Sequence, residues 1–309
     1  MLENVGKYAT DCLSLCYDLI YENEAKKEGC HMEKPARVLT VAGSAAGGSA
    51  GIQADLKTFQ ELDVYGMSTV TAIVGRHPET DKNVHPQTIE AIEAQFDTAN
   101  NQVGFDAMKT GMLFSKEVIE VVADLISKTD IKDIVVDPVM VGKLDSKLLK
   151  DDAIVALKEK LIPLSTVITP NMTEASILLD DRPLKTVEDL KQAAIDLHEL
   201  GPDFVLVKGG RLSGPAVDVL YEGTTITTLE APRIETDNTS GAGCTYSAAI
   251  AAFLAKGKNI HDAVALAKSF ITTAIAHSFS YNDYVGPTYH AAERKYGEAY
   301  PIEIISEKI

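Results

Sequence analysis

From Arg37 onward the chain alternates short, Val- and Ile-rich runs with longer stretches of helical periodicity, and this alternation constrains the fold more than any other feature. The short runs fall at residues 37–42, 68–74, 107–110, 134–139, 166–169 and 204–208. They are apolar on both faces, as strands buried between two helical layers must be. Helical stretches at 52–62, 86–102, 116–128, 153–160, 171–179 and 187–200 separate them. In the first of these, Ile52, Leu56, Phe59 and Leu62 recur at helical spacing and form one apolar face. Such repetition builds βαβ units with right-handed crossovers. The expected fold is therefore α/β, a mostly parallel central sheet flanked by helices on both faces. Glu222-Gly223, between runs at 216–221 and 224–230, predicts a small antiparallel hairpin at one sheet edge. Helices at 241–255 and 260–278 close the pattern, and residues 36–309 read as one domain.

Composition removes other classes. No apolar run approaches the roughly eighteen residues of a membrane span. With 29 basic against 45 acidic residues the net charge is −16, which opposes phosphate backbones and anionic membranes, so neither nucleic acid nor membrane is an expected partner. Four cysteines are too few for a disulfide scaffold and fit a reducing, cytoplasmic setting. Cys12, Cys16, Cys30 and His31 match no zinc spacing. Residues 1–35 lack the pattern of a targeting signal and read as an N-terminal extension, helical or partly disordered, with the functional domain starting near Met32.

Four loops carry the chemistry, and three of them follow strand candidates, where open parallel sheets bind ligands. Gly43-Ser-Ala-Ala-Gly-Gly-Ser-Ala-Gly51 lets backbone approach a ligand closely, but matches neither the Walker nor the dinucleotide glycine pattern. It reads equally well as a flexible turn. Thr239-Ser-Gly-Ala-Gly-Cys-Thr245 opens an apolar helix with free N–H groups, suited to a phosphoryl group in transfer. The same field is expected to lower the pKa of Cys244. The alternative is tight packing, with the cysteine as a small hydrophobe. Asn171 and Glu174 share a face at a helix start and can hold hydrated magnesium, although capping alone explains the pair. Lys208-Gly-Gly210 places a lysine at a strand end, for a nucleotide phosphate or simply for solvent. No zinc-hydrolase histidine grouping and no Gly-x-Ser-x-Gly elbow is present.

Taken in order, Gly43–Gly51 with Gln53-Ala-Asp-Leu-Lys57, Lys109-Thr-Gly-Met-Leu113, Val136-Asp-Pro-Val-Met140, Thr169-Pro-Asn171 with Glu174, Lys208-Gly-Gly210 and Gly241-Ala-Gly-Cys244 resemble the ribokinase-like superfamily. The resemblance runs from about Ala36 to Arg294 and is nearest to the bacterial kinases of vitamin B6 and of hydroxymethylpyrimidine. The ending Asn282-Asp-Tyr-Val-Gly-Pro-Thr-Tyr-His290 is similar to the B6 kinases of Gram-positive bacteria. The resemblance implies phosphorylation of pyridoxal, with pyridoxine and pyridoxamine as further acceptors, on the 5-hydroxymethyl group. It implies ATP as cosubstrate, Mg2+ and a cytoplasmic homodimer, and leaves a monovalent cation open. Gly241, Ala242, Gly243 and Cys244 would form the anion hole and base. Lys208, Gly210, Asn171, Glu174, Asn238 and Thr239 would bind the nucleotide, and Asp137 with Glu174 the metal. Gly43, Ala50, Val74, Arg76, Met112 and Val139 would surround the acceptor.

Several positions depart from the family. Ala45 replaces the usual acidic residue, and Ser240 a common histidine. Gly142 stands where the B6 kinases carry a cysteine able to trap the aldehyde, so no covalent hemithioacetal is expected there. Arg76 cannot accept a hydrogen bond as the glutamine of pyrimidine kinases does. The alternatives are a hydroxymethylpyrimidine (phosphate) kinase of thiamin synthesis and a noncatalytic B6- or nucleotide-binding regulator.

Overall fold

Alternating side chains along each inner strand have to be buried on opposite faces, and this fixes the architecture. A computed structural model describes residues 34–75, 83–142, 149–283 and 286–309. The expected N-terminal extension through residue 33, with Cys12, Cys16, Cys30 and Met32, lies outside the described residues, as does Arg76. Residues Ala36–Ile309 form one compact unit. Its strands are β1 (Arg37–Ala45), β2 (Tyr65–Val74), β3 (Val84–Pro86), β4 (Ala107–Thr110), β5 (Ile134–Val136), β6 (Val167–Ile168), β7 (Phe204–Lys208), β8 (Ala216–Tyr221), β9 (Thr225–Ala231) and β10 (Glu303–Lys308). They make a single sheet of order β10-β9-β8-β7-β6-β5-β4-β1-β2-β3. The six strands from β2 through β1 and β4 to β7 pair in parallel; β3 on one side and β8, β9 and β10 on the other are antiparallel.

The helices are α1 (Ile52–Glu61), α2 (Ile89–Thr98), α3 (Lys116–Ser127), α4 (Asp151–Ala156), α5 (Met172–Leu178), α6 (Val187–His198), α7 (Ala242–Ala255), α8 (Ile260–Ala276) and α9 (Ala292–Tyr296). Val38, Val135, Val167, Leu206 and Leu220 point to one face and pack with Phe59 of α1 and the apolar sides of α7 and α8. Their neighbours Leu39, Ile134, Val136, Ile168, Val205, Val207 and Val219 point the other way, toward α2 through α6. Both cores exist because the inner strands carry apolar side chains on both faces. On α1 the buried face also carries Asp55, fully enclosed beside Ile52 and Phe59. Burying a phenylalanine stabilises by about 2 kcal/mol, whereas a buried carboxylate costs more than that unless it is paired. Lys109 of β4 supplies the partner, 3.0 Å from both Asp55 oxygens.

The expected elements differ from the observed ones mostly at their ends. The strand expected at 134–139 stops at Val136, because Pro138 has no N–H with which to continue the ladder. The stretch at 86–102 does not begin as helix: Val84–Pro86 is an edge strand, Thr88 caps α2, and the last turn widens to a π-helix at Ala99–Val103. β10 was not expected, since its residues are all exposed and leave no buried face to impose a period of two.

The C-terminal segment is tied back to α7 through His290, which is buried and shares a 3.0 Å hydrogen bond with Thr245 Oγ1. Burial, with a smaller push from Lys57, lowers its pKa from 6.5 to about 4. The unfolded chain therefore binds a proton between these values that the folded chain does not. The neutral ring's contribution is complete above about pH 6.5 and is lost as the pH falls toward 4. Between pH 4 and 6.5 the parent is expected to gain about 3 kcal/mol relative to His290→Gln in urea melts, a difference from which the opposing titration of Glu174, common to both proteins, cancels.

Candidate functional site

The inner strands end together, and their carboxyl-terminal loops assemble one corner. After β1, Gln53 of α1 holds the first glycine loop: the Ala45 N–H donates to Gln53 Oε1 at 2.8 Å, and Gln53 Nε2 donates to Ser44 Oγ at 2.7 Å. Lys57 donates to the Gly48 carbonyl at 2.7 Å. This loop presses against the start of α7. Gly241 has φ +82°, and a Cβ built there would lie 1.6 Å from the Ser49 carbonyl oxygen. The Ser240 hydroxyl completes the contact, 2.8 Å from that of Ser49. The two glycine-rich loops, remote in sequence, are thus one structure. No side chain caps α7; the Ala242 N–H is taken up by the Thr239 carbonyl at 3.1 Å, which leaves those of Gly243 and Cys244 and the positive end of the dipole for a ligand.

Charged side chains from two strand ends and from the start of α5 face this helix start. Lys208 Nζ, at the end of β7, lies 3.5 Å from where a Cβ on Gly243 would stand. It is 3.1 Å from Asp137 Oδ1, at the end of β5, while Ser247 of α7 donates to Asp137 Oδ2 at 3.1 Å. Burial opposes both charges, yet Asp137 and Glu174 hold the Lys208 ammonium above the usual lysine range. In return Lys208, with Lys109, holds Asp137 below the usual carboxylate range. Glu174, at the start of α5, is pushed up to about 7 by burial, against the pull of Lys208.

Asn171 and Glu174 form a complete capping box. Asn171 Oδ1 accepts from the N–H groups of Thr173 and Glu174, and Glu174 Oε2 accepts from that of Asn171. The Asn171 carbonyl oxygen is therefore already spent, which corrects the expectation that it helps to hold a metal; its Nδ2 donor remains. Among the described residues no group of three His, Cys, Asp or Glu side chains forms a metal cage. The fit to Mg2+ rests instead on the two carboxylates Asp137 and Glu174. They outnumber the one ammonium shared between them, and Mg2+ is characteristically held by one or two carboxylates with water and phosphate oxygens.

A cavity of about 480 Å³ opens from this corner and is lined by Asn171, Lys208, Gly210, Thr239, Ala242 and Gly243, all expected site residues. Asn238 is used differently, accepting from the Gly286 N–H at 2.8 Å and so fixing the loop beneath the helix. Gly43, Met112 and Val74 converge on a second spot beyond β1: a Cβ on Gly43 would meet Met112 Cε at 2.6 Å and Val74 Cγ2 at 3.7 Å. Ala50 sits against Gly241, and the Val139 N–H turns back onto the Asp137 carbonyl at 2.8 Å. Gly142 is half-buried just ahead of residues 143–148, which lie outside the described residues.

Cys244 is half-buried in the first turn of α7, where the Gly51 N–H reaches its sulfur. Its pKa is not lowered. Burial pushes the thiol up to about 11; Lys109 opposes this, and Asp55 and Asp137 add to it. Desolvation and the two carboxylates outweigh Lys109 and the Gly51 N–H, which corrects the sequence expectation. The Asp55–Lys109 pair beneath this spot was not singled out as part of the site. Its signal was a carboxylate on the apolar face of α1 and a lysine inside an apolar strand, both fully buried. Burial works against the Lys109 charge, but Asp55, Cys244 and Asp137 hold it cationic.

Residues 46–289 match the family described as phosphomethylpyrimidine kinase. A pyridoxine kinase of Bacillus subtilis is 50% identical over 262 residues, 84% of this chain and 97% of that protein. A hydroxymethylpyrimidine/phosphomethylpyrimidine kinase of the same organism is 41% identical over 261 residues, 84% of this chain and 96% of its own. Among solved structures, an ADP complex of Bacillus subtilis pyridoxal kinase superposes with a TM-score of 0.79 at 48% identity, covering 84% of this chain and 99% of that one. The pyridoxal kinase of Staphylococcus aureus with AMP-PCP and pyridoxal gives 0.81 at 38% identity, covering 88% and 100%. With its sheet, helical layers and glycine corner, the chain belongs to the phosphomethylpyrimidine kinase family, within the ribokinase-like fold.

Proposed function

We propose that this protein transfers the γ-phosphoryl group of ATP to the 5-hydroxymethyl group of pyridoxal, with pyridoxine and pyridoxamine as further acceptors. The observation that carries the reading is the corner where Lys208 meets Gly243 beside two buried carboxylates, at the mouth of a cavity of about 480 Å³. Phosphoryl transfer asks mainly for positioning and for neutralised charge. The N–H groups of Gly241, Gly243 and Cys244 would receive the transferred group's oxygens, with Ala242, whose N–H is held by the Thr239 carbonyl, shaping the turn between them. Lys208, with Gly210, Asn171 and Thr239, would hold the nucleotide, and Asn238 would fix the loop under it. Gly43, Ala50, Val74, Met112 and Val139 would enclose the acceptor ring. Bound through water near Asp137 and Glu174, Mg2+ would supply positive charge to the phosphate chain. Pyridoxal is favoured over hydroxymethylpyrimidine because the pyridoxine kinase shares 50% identity and the pyrimidine kinase 41%.

Cys244 would accept the hydroxyl proton as the new P–O bond forms and the bond to ADP breaks. With the thiol near 11, only about one in ten thousand is ionised at pH 7, so turnover should rise with pH between 7 and 9. Cys244→Ala is expected to lower kcat about 100-fold or more and to flatten this profile, with the Kd for ATP changed by less than about two-fold. Normal turnover in this variant would remove the proposed base.

Gly241→Ala would drive a methyl group into the Ser49 carbonyl at a left-handed φ. It is expected to lower the thermal midpoint and to weaken ATP binding by about ten-fold or more, read by calorimetry.

A panel with Mg-ATP and each acceptor in parallel tests the assignment. ADP release with pyridoxal should exceed that with hydroxymethylpyrimidine by about ten-fold in kcat/KM; the reverse order favours the thiamin reading. Thermal stabilisation by ligand without ADP release would indicate a noncatalytic binder. The same reading makes the chain a cytoplasmic homodimer, and sedimentation velocity is expected to give twice the chain mass.

A further inference from the structure

Another buried ion pair lines the 480 Å³ cavity. Lys268 of α8 and Asp218 of β8 both line it, and their side chains are only 6% and 4% exposed. Lys268 Nζ lies 2.6 Å from Asp218 Oδ2. The other carboxylate oxygen, Oδ1, accepts from the Gly209 N–H at 3.0 Å. That N–H is shared, since it also reaches the Val217 carbonyl at 2.9 Å. Gly209 is hemmed in further: a Cβ there would lie 2.4 Å from the Val217 oxygen and 2.6 Å from Leu190 Cδ1. On the opposite edge the Lys208 N–H donates to the Pro170 carbonyl at 2.9 Å. The turn carrying Lys208 is therefore clamped from both neighbouring chain segments, and on one side the clamp ends in a lysine from a helix packed across the sheet.

We propose that Lys268 and Asp218 are a positioning pair for the nucleotide. The pair anchors the Gly209 amide, sets the Lys208-Gly-Gly turn against the start of α7, and so governs affinity for the phosphate chain without touching the acceptor. A buried pair gains little over apolar packing and is costly to break on one side only. Its value lies in fixing geometry, because the carboxylate must satisfy a backbone amide and an ammonium from different elements at once. Tyr246 lines the same cavity, and burial, with Asp218 adding to it, holds its phenol well above its ordinary range. The proposal rests on the kinase reading above, and its test uses ATP binding as well as turnover so that the two can fail separately.

The double variant Asp218→Asn/Lys268→Met keeps an acceptor for Gly209 while removing both charges and the anchor. It is expected to fold, to weaken ATP binding by calorimetry about ten-fold or more, and to raise the KM for ATP in parallel. The KM for pyridoxal and the slope of kcat with pH should stay within about two-fold. Lys268→Arg, which preserves the cation, should retain most of the affinity. Lys268→Gln, which keeps a donor for the carboxylate, should show the same selective loss and gives a second, independent readout. ATP affinity equal to that of the parent in a folded double or Gln variant overturns the proposal, as does an equal loss toward ATP and pyridoxal. A parent chain that binds ATP but never phosphorylates pyridoxal would overturn the function assigned above and leave the binding test of the pair in force.

Discussion

The carbonyl oxygen of Ser49 occupies the space in which any side chain at position 241 would have to begin. This contact joins the loop after β1 to the helix that follows the β-hairpin, and the geometry of the corner depends on it. It holds the uncapped start of α7 against the first strand and places Gly243 next to Lys208. Cys244 comes within reach of the Gly51 N–H. Only glycine allows this approach, since a left-handed φ and a missing Cβ are needed at the same residue.

Around that contact the charges are layered. Lys208 and Asp137 stabilise each other at the mouth of the cavity, and Asp55 with Lys109 sits fully enclosed beneath the thiol. Alternating signs keep each buried group paired, except that Glu174 has a share of one cation only and is pushed up to about 7. An excess of negative charge beside a positive helix end suits a polyphosphate that arrives with its own cation. The neutral thiol belongs to the same balance: burial disfavours a thiolate there, and Asp55 and Asp137 would repel it.

Much of the fold was legible because its strands are buried on both faces. Residues 107–110 and 204–208 coincide with β4 and β7, short β-prone segments each closed by a glycine just after the strand. The ends of β5 and α2 were less legible, because Pro138 and Thr88 act through single hydrogen bonds that periodicity does not register. β10 left no pattern, as its side chains face solvent throughout. Within the site, the glycines, Lys208, Asp137 and the Asn171–Glu174 box were recognisable from motif and order. Asp55 and Lys109 also stand in those motifs, but their pairing, like that of Asp218 with Lys268, was not legible, because each partner comes from a distant element.

The sequence by itself determined the βαβ alternation, the sheet's two apolar faces and the glycine loops, since these follow from local period and from residues with special backbone freedom. Tertiary structure alone decided which charges pair and how the titration of Cys244 moves. A helix N-terminus is a local feature and favours a thiolate, but burial depends on every element packed around the sulfur. Here the packing wins, and no stretch of the chain read alone carries that outcome.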